Sequence, residues 1–347
     1  LLTNTILLIW FERKVVAGMQ SRVGPDRAGP FGILQTLADA IKLLLKEQIL
    51  PSKADRAMYL LAPLIALVPS FLIFMIIPLG PDITVEWQNA LYTIPLVGAD
   101  LNVGVLYFLA LSSIAVYSVV LAGWSSGSKY PLLGGVRASA QMISYEAAMG
   151  LALVPVILYS GSLSLVDIVN SQSGNLSSSI PILNTIVSFI PKWNIFPQFV
   201  AFGIFFIAAV AEVNRAPFDL VEAEQELVGG FHTEYSGFRF AMFFLAEYIN
   251  MFNMCAITAT FFLGGWLGPT FEGILPPIFS VIMPIIWLGV KTFLLLFVFV
   301  WIRATLPRLR YDQLMELGWK RMIPLSLVWL ILSAIVLGLR EFGLPWS

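Results

Sequence analysis

The chain has 347 residues, 58% of them hydrophobic and only 12% charged, with a mean hydropathy of +0.85. A soluble chain carries about a quarter charged residues, so this composition implies a polytopic membrane protein, and a net charge of −1 gives nothing for nucleic acid to bind. One cysteine, Cys255, and one histidine, His232, exclude intrachain disulfides, iron–sulfur ligation, a cysteine-based zinc site, a bis-histidine haem and any His-rich metal site.

In chain order, long uncharged runs predict eight transmembrane helices, an all-α integral membrane bundle over residues 1–347. The first, Leu1–Met19, has only about ten apolar residues before Glu12, whereas a span needs about 20. It is expected to be truncated at its N-terminus. After the turn-rich Gly24–Pro30, residues 31–50 place Leu34, Leu37, Ile41, Leu44 and Leu45 on one helical face and Gln35, Asp39, Lys42 and Lys46 on another. This pattern predicts an amphipathic helix lying at the membrane interface. Spans two and three are Ala57–Pro81 and Leu101–Trp124. Span four, Ala138–Val166, contains only Glu146, and Ser171–Ser179 reads as an outer loop. Span five is Trp193–Ala211. Span six, Phe240–Phe271, contains only Glu247; span seven, Gly273–Ile302, only Lys291; span eight, Met322–Leu339, no charge. None of these runs alternates as barrel strands do.

Nearly every basic residue falls on one side. The first connection carries Arg13, Lys14, Arg22, Arg27, Lys42, Lys46, Lys53 and Arg56, and the last inner one Arg303, Arg308, Arg310, Lys320 and Arg321, against only Lys192 and Arg340 opposite. The positive-inside rule puts that side in the cytoplasm, or in the matrix if the protein is organellar.

The same side holds an acidic segment at about 212–236 with Glu212, Asp219, Glu222, Glu224, Glu226 and Glu234 against a single Arg215. Asp219, Glu222 and Glu226 share a face if the stretch is helical, and close carboxylates do not all ionise cheaply. Pro217, Phe218 and Leu220 interrupt the charge with apolar anchors, which argues against a plain solvated loop. Glu146 and Glu247 read either as structural acids paired across helices or as proton-exchanging groups. Lys291 is the basic candidate, set against a snorkelling or paired structural lysine. His232 reads as a packing residue or a proton shuttle. Arg13, Arg303 and Arg308 read as inner-side anchors or as charge compensation for the acids. No P-loop, dinucleotide glycine fingerprint or HExxH occurs.

Four stretches carry a resemblance: ERKVVAGMQSRVGPDRAGPFGILQTLADAIKLLLKE (Glu12–Glu47), GWSSGSKYPLLGGVRASAQMISYE (Gly123–Glu146), AEVNRAPFDLVEAEQELVGGFHTEYSGFRFAMFFLAEY (Ala211–Tyr248) and WIRATLPRLRYDQLM (Trp301–Met315). Together they resemble the H-subunit family of proton-pumping NADH:quinone oxidoreductase, respiratory complex I, whose mitochondrial counterpart is NADH dehydrogenase subunit 1. The resemblance implies eight transmembrane helices joining the membrane arm to the peripheral arm, and a chamber that admits quinone with the interfacial helix at its mouth. It implies no redox centre or bound cofactor in this chain and no activity alone. Quinone is the substrate, and NADH and the iron–sulfur clusters belong to partner subunits. The implied partners are peripheral-arm iron–sulfur and quinone-site subunits, small membrane subunits and antiporter-like subunits. The implied location is the bacterial cytoplasmic membrane or the mitochondrial inner membrane. By motif match, Glu146, Glu212 and Glu247 correspond to relay acids, and Asp219, Glu222, Glu224 and Glu226 to the acidic loop facing the quinone. Glu12, Arg13, Arg22, Asp39, Arg303 and Arg308 correspond to charges lining or supporting the chamber. Some members carry a Glu where this chain has Ser113, which leaves the path at that position open. Related subunits serve ferredoxin-, F420- and hydrogenase-linked complexes. On the residues alone, an independent proton-coupled transporter or a structural anchor for a soluble partner fits the same intramembrane acids.

Overall fold

The computed structural model describes residues 1–87, 90–175, 191–219, 229–269 and 278–342. Its helices are α1 (Leu2–Met19), α2 (Gln35–Leu45), α3 (Arg56–Met75), α4 (Gly104–Ser125), α5 (Lys129–Ser160), α6 (Leu165–Ser171), α7 (Phe199–Glu212), α8 (Gly237–Phe262), α9 (Ile278–Thr305), α10 (Tyr311–Glu316) and α11 (Ile323–Phe342). A π-helical turn, Leu317–Met322, joins the last two. Among the described residues six helical runs are long and apolar enough to cross a membrane: α3, α4, α5, α8, α9 from Ile282, and the α10–α11 run Tyr311–Arg340. The chain is therefore a mostly helical integral membrane protein. Two of the eight expected crossings fall outside that set. Helix α7 has 14 residues, about 21 Å of helix against a hydrocarbon core of about 30 Å. Helix α1 has 18 residues and carries Glu12, Arg13 and Lys14.

One element departs from an all-α reading. Strands β1 (Ile83–Trp87) and β2 (Ala90–Ile94) pair antiparallel, with Ile83 opposite Ile94 and Val85 opposite Tyr92. The β-branched and aromatic residues of Ile83-Thr84-Val85 and Tyr92-Thr93-Ile94 suit a strand, but the run is too short and mixed to register as more than a loop between spans.

Helix α5 starts nine residues before the expected span. Pro131 lies in its first turn, where its missing N–H has no helical partner to lose. The added turns bring α5 against α4 and the segment before α8. A Cβ on Gly134 would sit 2.7 Å from Gly230 Cα and 2.9 Å from Phe231 N, and one on Gly123 would sit 2.6 Å from Pro131 O. Small residues thus let α4, α5 and the segment before α8 approach closely.

The core has two parts. The larger runs through Phe108, Tyr145, Met149, Phe205, Phe261 and Phe299; the smaller groups Tyr59, Met142, Phe231, Tyr235 and Phe243. There Tyr59 and Tyr235 stack with centroids 4.1 Å apart. The Tyr59 hydroxyl donates to Glu234 O at 2.8 Å, and the Tyr235 hydroxyl to Tyr59 O at 3.2 Å. Burial pushes the Tyr235 phenol up to about 12, so it stays a neutral donor. The pair pins the segment before α8 onto the start of α3, which Asp55 caps through Ala57 N and Met58 N.

Because the atoms facing Gly134 are backbone, Gly134→Val should destabilise the protein by about 1–3 kcal/mol, read as a lower thermal-unfolding midpoint of the purified assembly. Gly203→Ala, with nothing within 4 Å of an added Cβ, should show no loss.

Candidate functional site

Helix α7 ends where Asn214 adopts φ +54, a left-handed conformation that Asn tolerates better than most residues. The turn brings Arg215 back into the bundle, its N–H reaching Val210 O at 3.4 Å. Buried Gln141 on α5 holds this turn: its Nε2 donates to Ala211 O at 2.9 Å, to Phe218 O at 2.8 Å and to Asn214 Oδ1 at 3.3 Å. Glu212, Arg215 and Asp219 are thereby buried at fixed positions.

Arg215 is the centre of an ion chain. Its Nη1 lies 3.3 Å from Glu12 Oε1 on α1, and its Nε 2.7 Å from Glu247 Oε1 on α8. Its guanidinium stacks over the Tyr248 ring, 4.3 Å from the centroid. Arg303, in the last turn of α9, also pairs with Glu12 Oε1. Two acids and two arginines alternate across four elements, the pattern that makes buried charge tolerable. Glu12 is 3% exposed.

This chain borders a cavity of about 670 Å³ lined by Glu12, Arg13, Arg22 and Arg303, the Val23-Gly24-Pro25 turn, and Phe244 and Tyr248. Its volume lies in the range of small-molecule sites, about 300–1,000 Å³. Asp39 on α2 reaches it through Arg13, at 2.5 Å, and accepts from Gln35 at 3.1 Å. Burial raises the Asp39 carboxyl, but the hydrogen bonds from Arg13 and Gln35 and the charges of Arg13 and Lys42 outweigh it and hold the pKa below the usual value. The apolar face of α2 remains exposed at Leu34, Leu37, Ile41, Leu44 and Leu45. Arg308 stands apart from this cavity and pairs with Asp219 at 3.1 Å.

Deeper in, Ser112 on α4 donates to Glu212 Oε1 at 2.8 Å, and the next residue, Ser113, donates to Glu146 Oε1 on α5. Glu212 Oε2 is buried without a hydrogen-bond partner among the described residues. A smaller cavity of about 70 Å³ joins Glu212 to Glu247 and is bordered by Ser118, Asn214, His232 and Asn250. It exceeds the roughly 10–15 Å³ that one water requires. His232 packs edge-on to Phe231 and Phe240, and burial lowers its pKa to about 4, so it is neutral at physiological pH.

The structure thus brings Glu12, Arg13, Arg22 and Arg303 to one cavity, Asp39 to its rim, and Glu212 and Glu247 to a second. Glu222, Glu224 and Glu226 lie outside the described residues. Among the described residues Lys291 joins none of the acids. Its Nζ donates to Leu263 O at 2.6 Å, Gly265 O at 2.9 Å and Leu267 O, and it sits 4.3 Å from the Trp193 ring centroid. Three carbonyls match the three N–H donors of an ammonium, which fits the structural reading of this lysine. Sequence reasoning missed Gln141, Ser112 and Tyr248 as supports. Only Arg215 gave a signal, as the lone cation in the acidic segment.

Fold and site define a helical membrane protein with an ionised, partly cavity-lined interior, and no group of three or more metal-ligating side chains among the described residues. The model of the family described as NADH dehydrogenase matches residues 1–334. An NADH-quinone oxidoreductase H subunit of Koribacter versatilis is 47% identical over 348 positions, 98% of this chain and 94% of that one. The H subunit of Frankia alni is 52% identical over 336 residues, 96% of this chain and 69% of its own, and that of Ralstonia nicotianae 50% over 335 residues, 96% and 88%. The chain belongs to the NADH dehydrogenase family.

Removing one member of a buried ion chain strands the others. Glu12→Ala should therefore destabilise by about 3–5 kcal/mol, seen as a reduced unfolding midpoint or lost assembly. A second outcome follows from His232. Its folded pKa lies below the unfolded value of 6.5, so the unfolded chain binds the proton first as pH falls. Its contribution is complete above about pH 6.5 and is lost towards pH 4, at up to about 1.4 kcal/mol per pH unit. Thermal stability of His232→Asn should fall less steeply across that window than that of the unsubstituted protein.

Proposed function

We propose that this chain is the membrane subunit of proton-translocating NADH:quinone oxidoreductase that forms the quinone chamber and passes the consequence of quinone reduction into the membrane as proton movement. It is an oxidoreductase subunit without a redox centre of its own. Its family membership, and H-subunit relatives at about half identity over nearly the whole chain, support the membership of the complex. The observation that carries the finer reading is that one ion chain, Glu12–Arg215–Glu247, borders the larger cavity, while Glu247 and Glu212 border the smaller one.

In this reading quinone leaves the bilayer along the exposed apolar face of α2, which lies in the membrane interface, and enters the cavity beside Tyr248 and Phe244. Arg13, Arg22, Arg303 and Asp39 hold the chamber's charge balance, and Arg308 supports it from outside through Asp219. Electrons arrive from an iron–sulfur cluster of a peripheral-arm partner; this chain supplies position and electrostatics. The dianionic reduced quinone draws protons, and the change in charge redistributes protons along Asp219, Glu222, Glu224 and Glu226 and then Glu247, Glu212 and Glu146. Helices α1 and α7 complete eight crossings, with the acidic segment at 212–236 and the amphipathic helix at 31–50 on the inner face of a single membrane domain. The small membrane and antiporter-like subunits adjoin it in the bacterial cytoplasmic or mitochondrial inner membrane.

Glu212→Gln and Glu146→Gln, in an assembled complex, should each lower quinone reductase activity and proton translocation together by about 10²-fold, with NADH oxidation by a water-soluble acceptor that bypasses quinone unchanged. Full turnover and pumping in both variants would remove the relay.

A further inference from the structure

Ser112 and Ser113 are consecutive on α4, yet they serve different acids on different helices: Ser112 reaches Glu212 at the end of α7, and Ser113 reaches Glu146 on α5. Their Cα atoms are about 3.8 Å apart, fixed by the peptide bond. A carboxylate from each neighbouring helix is therefore delivered to one short stretch of α4. Ser112 is buried, and Glu212 is 6% exposed, so bulk water offers no parallel route at that end.

We propose that Ser112 and Ser113 form a hydroxyl bridge that carries a proton between Glu146 and Glu212. This rests on the relay reading of the two acids given above and identifies the groups between them. A serine hydroxyl has one donor and two acceptor lone pairs. In the structure each serine donates to a carboxyl oxygen of its own acid. When Glu146 takes a proton, Ser113 rotates to accept from it and donates to one bridging water, because consecutive side chains on a helix do not face each other; that water donates to Ser112, and Ser112 donates to Glu212. Each oxygen gains one proton as it releases another. No electron moves and both hydroxyls end as they began; the net change is one proton moved from Glu146 to Glu212, and the reverse sequence moves it back. Glu212 Oε2, buried and unpartnered among the described residues, is the oxygen left to hand the proton on towards the smaller cavity, which Glu212 also borders. A glutamate at position 113 is thus not needed for continuity, because its serine already touches the acid on the next helix.

The test uses the intact complex in proteoliposomes and compares Ser112→Ala, Ser113→Ala, the double alanine variant and Ser113→Thr. Assembly is checked by NADH oxidation with a water-soluble acceptor. The double variant should lose about tenfold or more of its quinone reductase rate and proton uptake, and its solvent deuterium isotope effect should rise as proton transfer becomes limiting. Threonine, which keeps the hydroxyl, should restore the rate. Normal turnover in the double alanine variant, with Glu146→Gln and Glu212→Gln impaired, would overturn the bridge and leave the relay standing. Normal turnover in the glutamine variants would overturn the relay and the bridge with it. A reduced rate with no change in isotope effect and no recovery in Ser113→Thr would make the serines mere orienting groups and overturn the proposal.

Discussion

Arg215 lies between two carboxylates, Glu12 and Glu247, with its guanidinium over the Tyr248 ring. Moving a lone guanidinium out of water costs several kcal/mol even after relaxation, so the position is tenable only while both acids and the ring stay in place. The spread of N–H donors explains why arginine stands here, since separate nitrogens serve the two acids; a lysine ammonium would act as a point charge and lose the contact with the ring. One side chain therefore ties together α1, the turn after α7, and α8, and Arg303 extends the tie to α9. The larger cavity lies beside this tie, lined by Glu12 and Arg303 with Phe244 and Tyr248 filling part of the space.

The same logic accounts for Gln141. The turn that carries Arg215 inward exposes backbone carbonyls to an apolar interior, where an unsatisfied carbonyl is expensive. A single amide nitrogen on α5 serves Ala211 and Phe218 together. Position in the acidic segment is thus set by a neutral residue one and a half turns from Glu146, and the two relay candidates are linked through helix α5 as well as through the serines.

Much of this was legible in the sequence. Low charge and long apolar runs predicted the membrane spans because the bilayer leaves no other solution for backbone groups. Glu146 and Glu247 stood out because a carboxylate inside such a run has a high energetic threshold. What remained hidden depends on three-dimensional neighbours. The motif match assigns Glu12 to the chamber, but its pairing with Arg215, 203 residues away, shows only in the folded chain. Ser112 and Ser113 are ordinary in an apolar helix, and only the two helices packed on either side give them partners. The eight-span count blurred at α1 and α7 because charge and shortness, which mark helix ends elsewhere, here occur inside the bundle. The hairpin at Ile83–Ile94 escaped notice because alternation over so few residues carries little signal.

The clasp on Lys291 has a mechanical consequence for α9. Its ammonium, midway along the helix, is held by carbonyls just beyond the end of α8, while Arg303, twelve residues further along and about 18 Å away, takes part in the ion chain. A slide of α9 along its axis would tear three carbonyls from their cation at once. A small tilt about that anchored midpoint would leave the clasp whole but move Arg303 sideways, against its pairing with Glu12. Helix α9 is therefore fixed in register at its middle and tethered by charge near its C-terminal end.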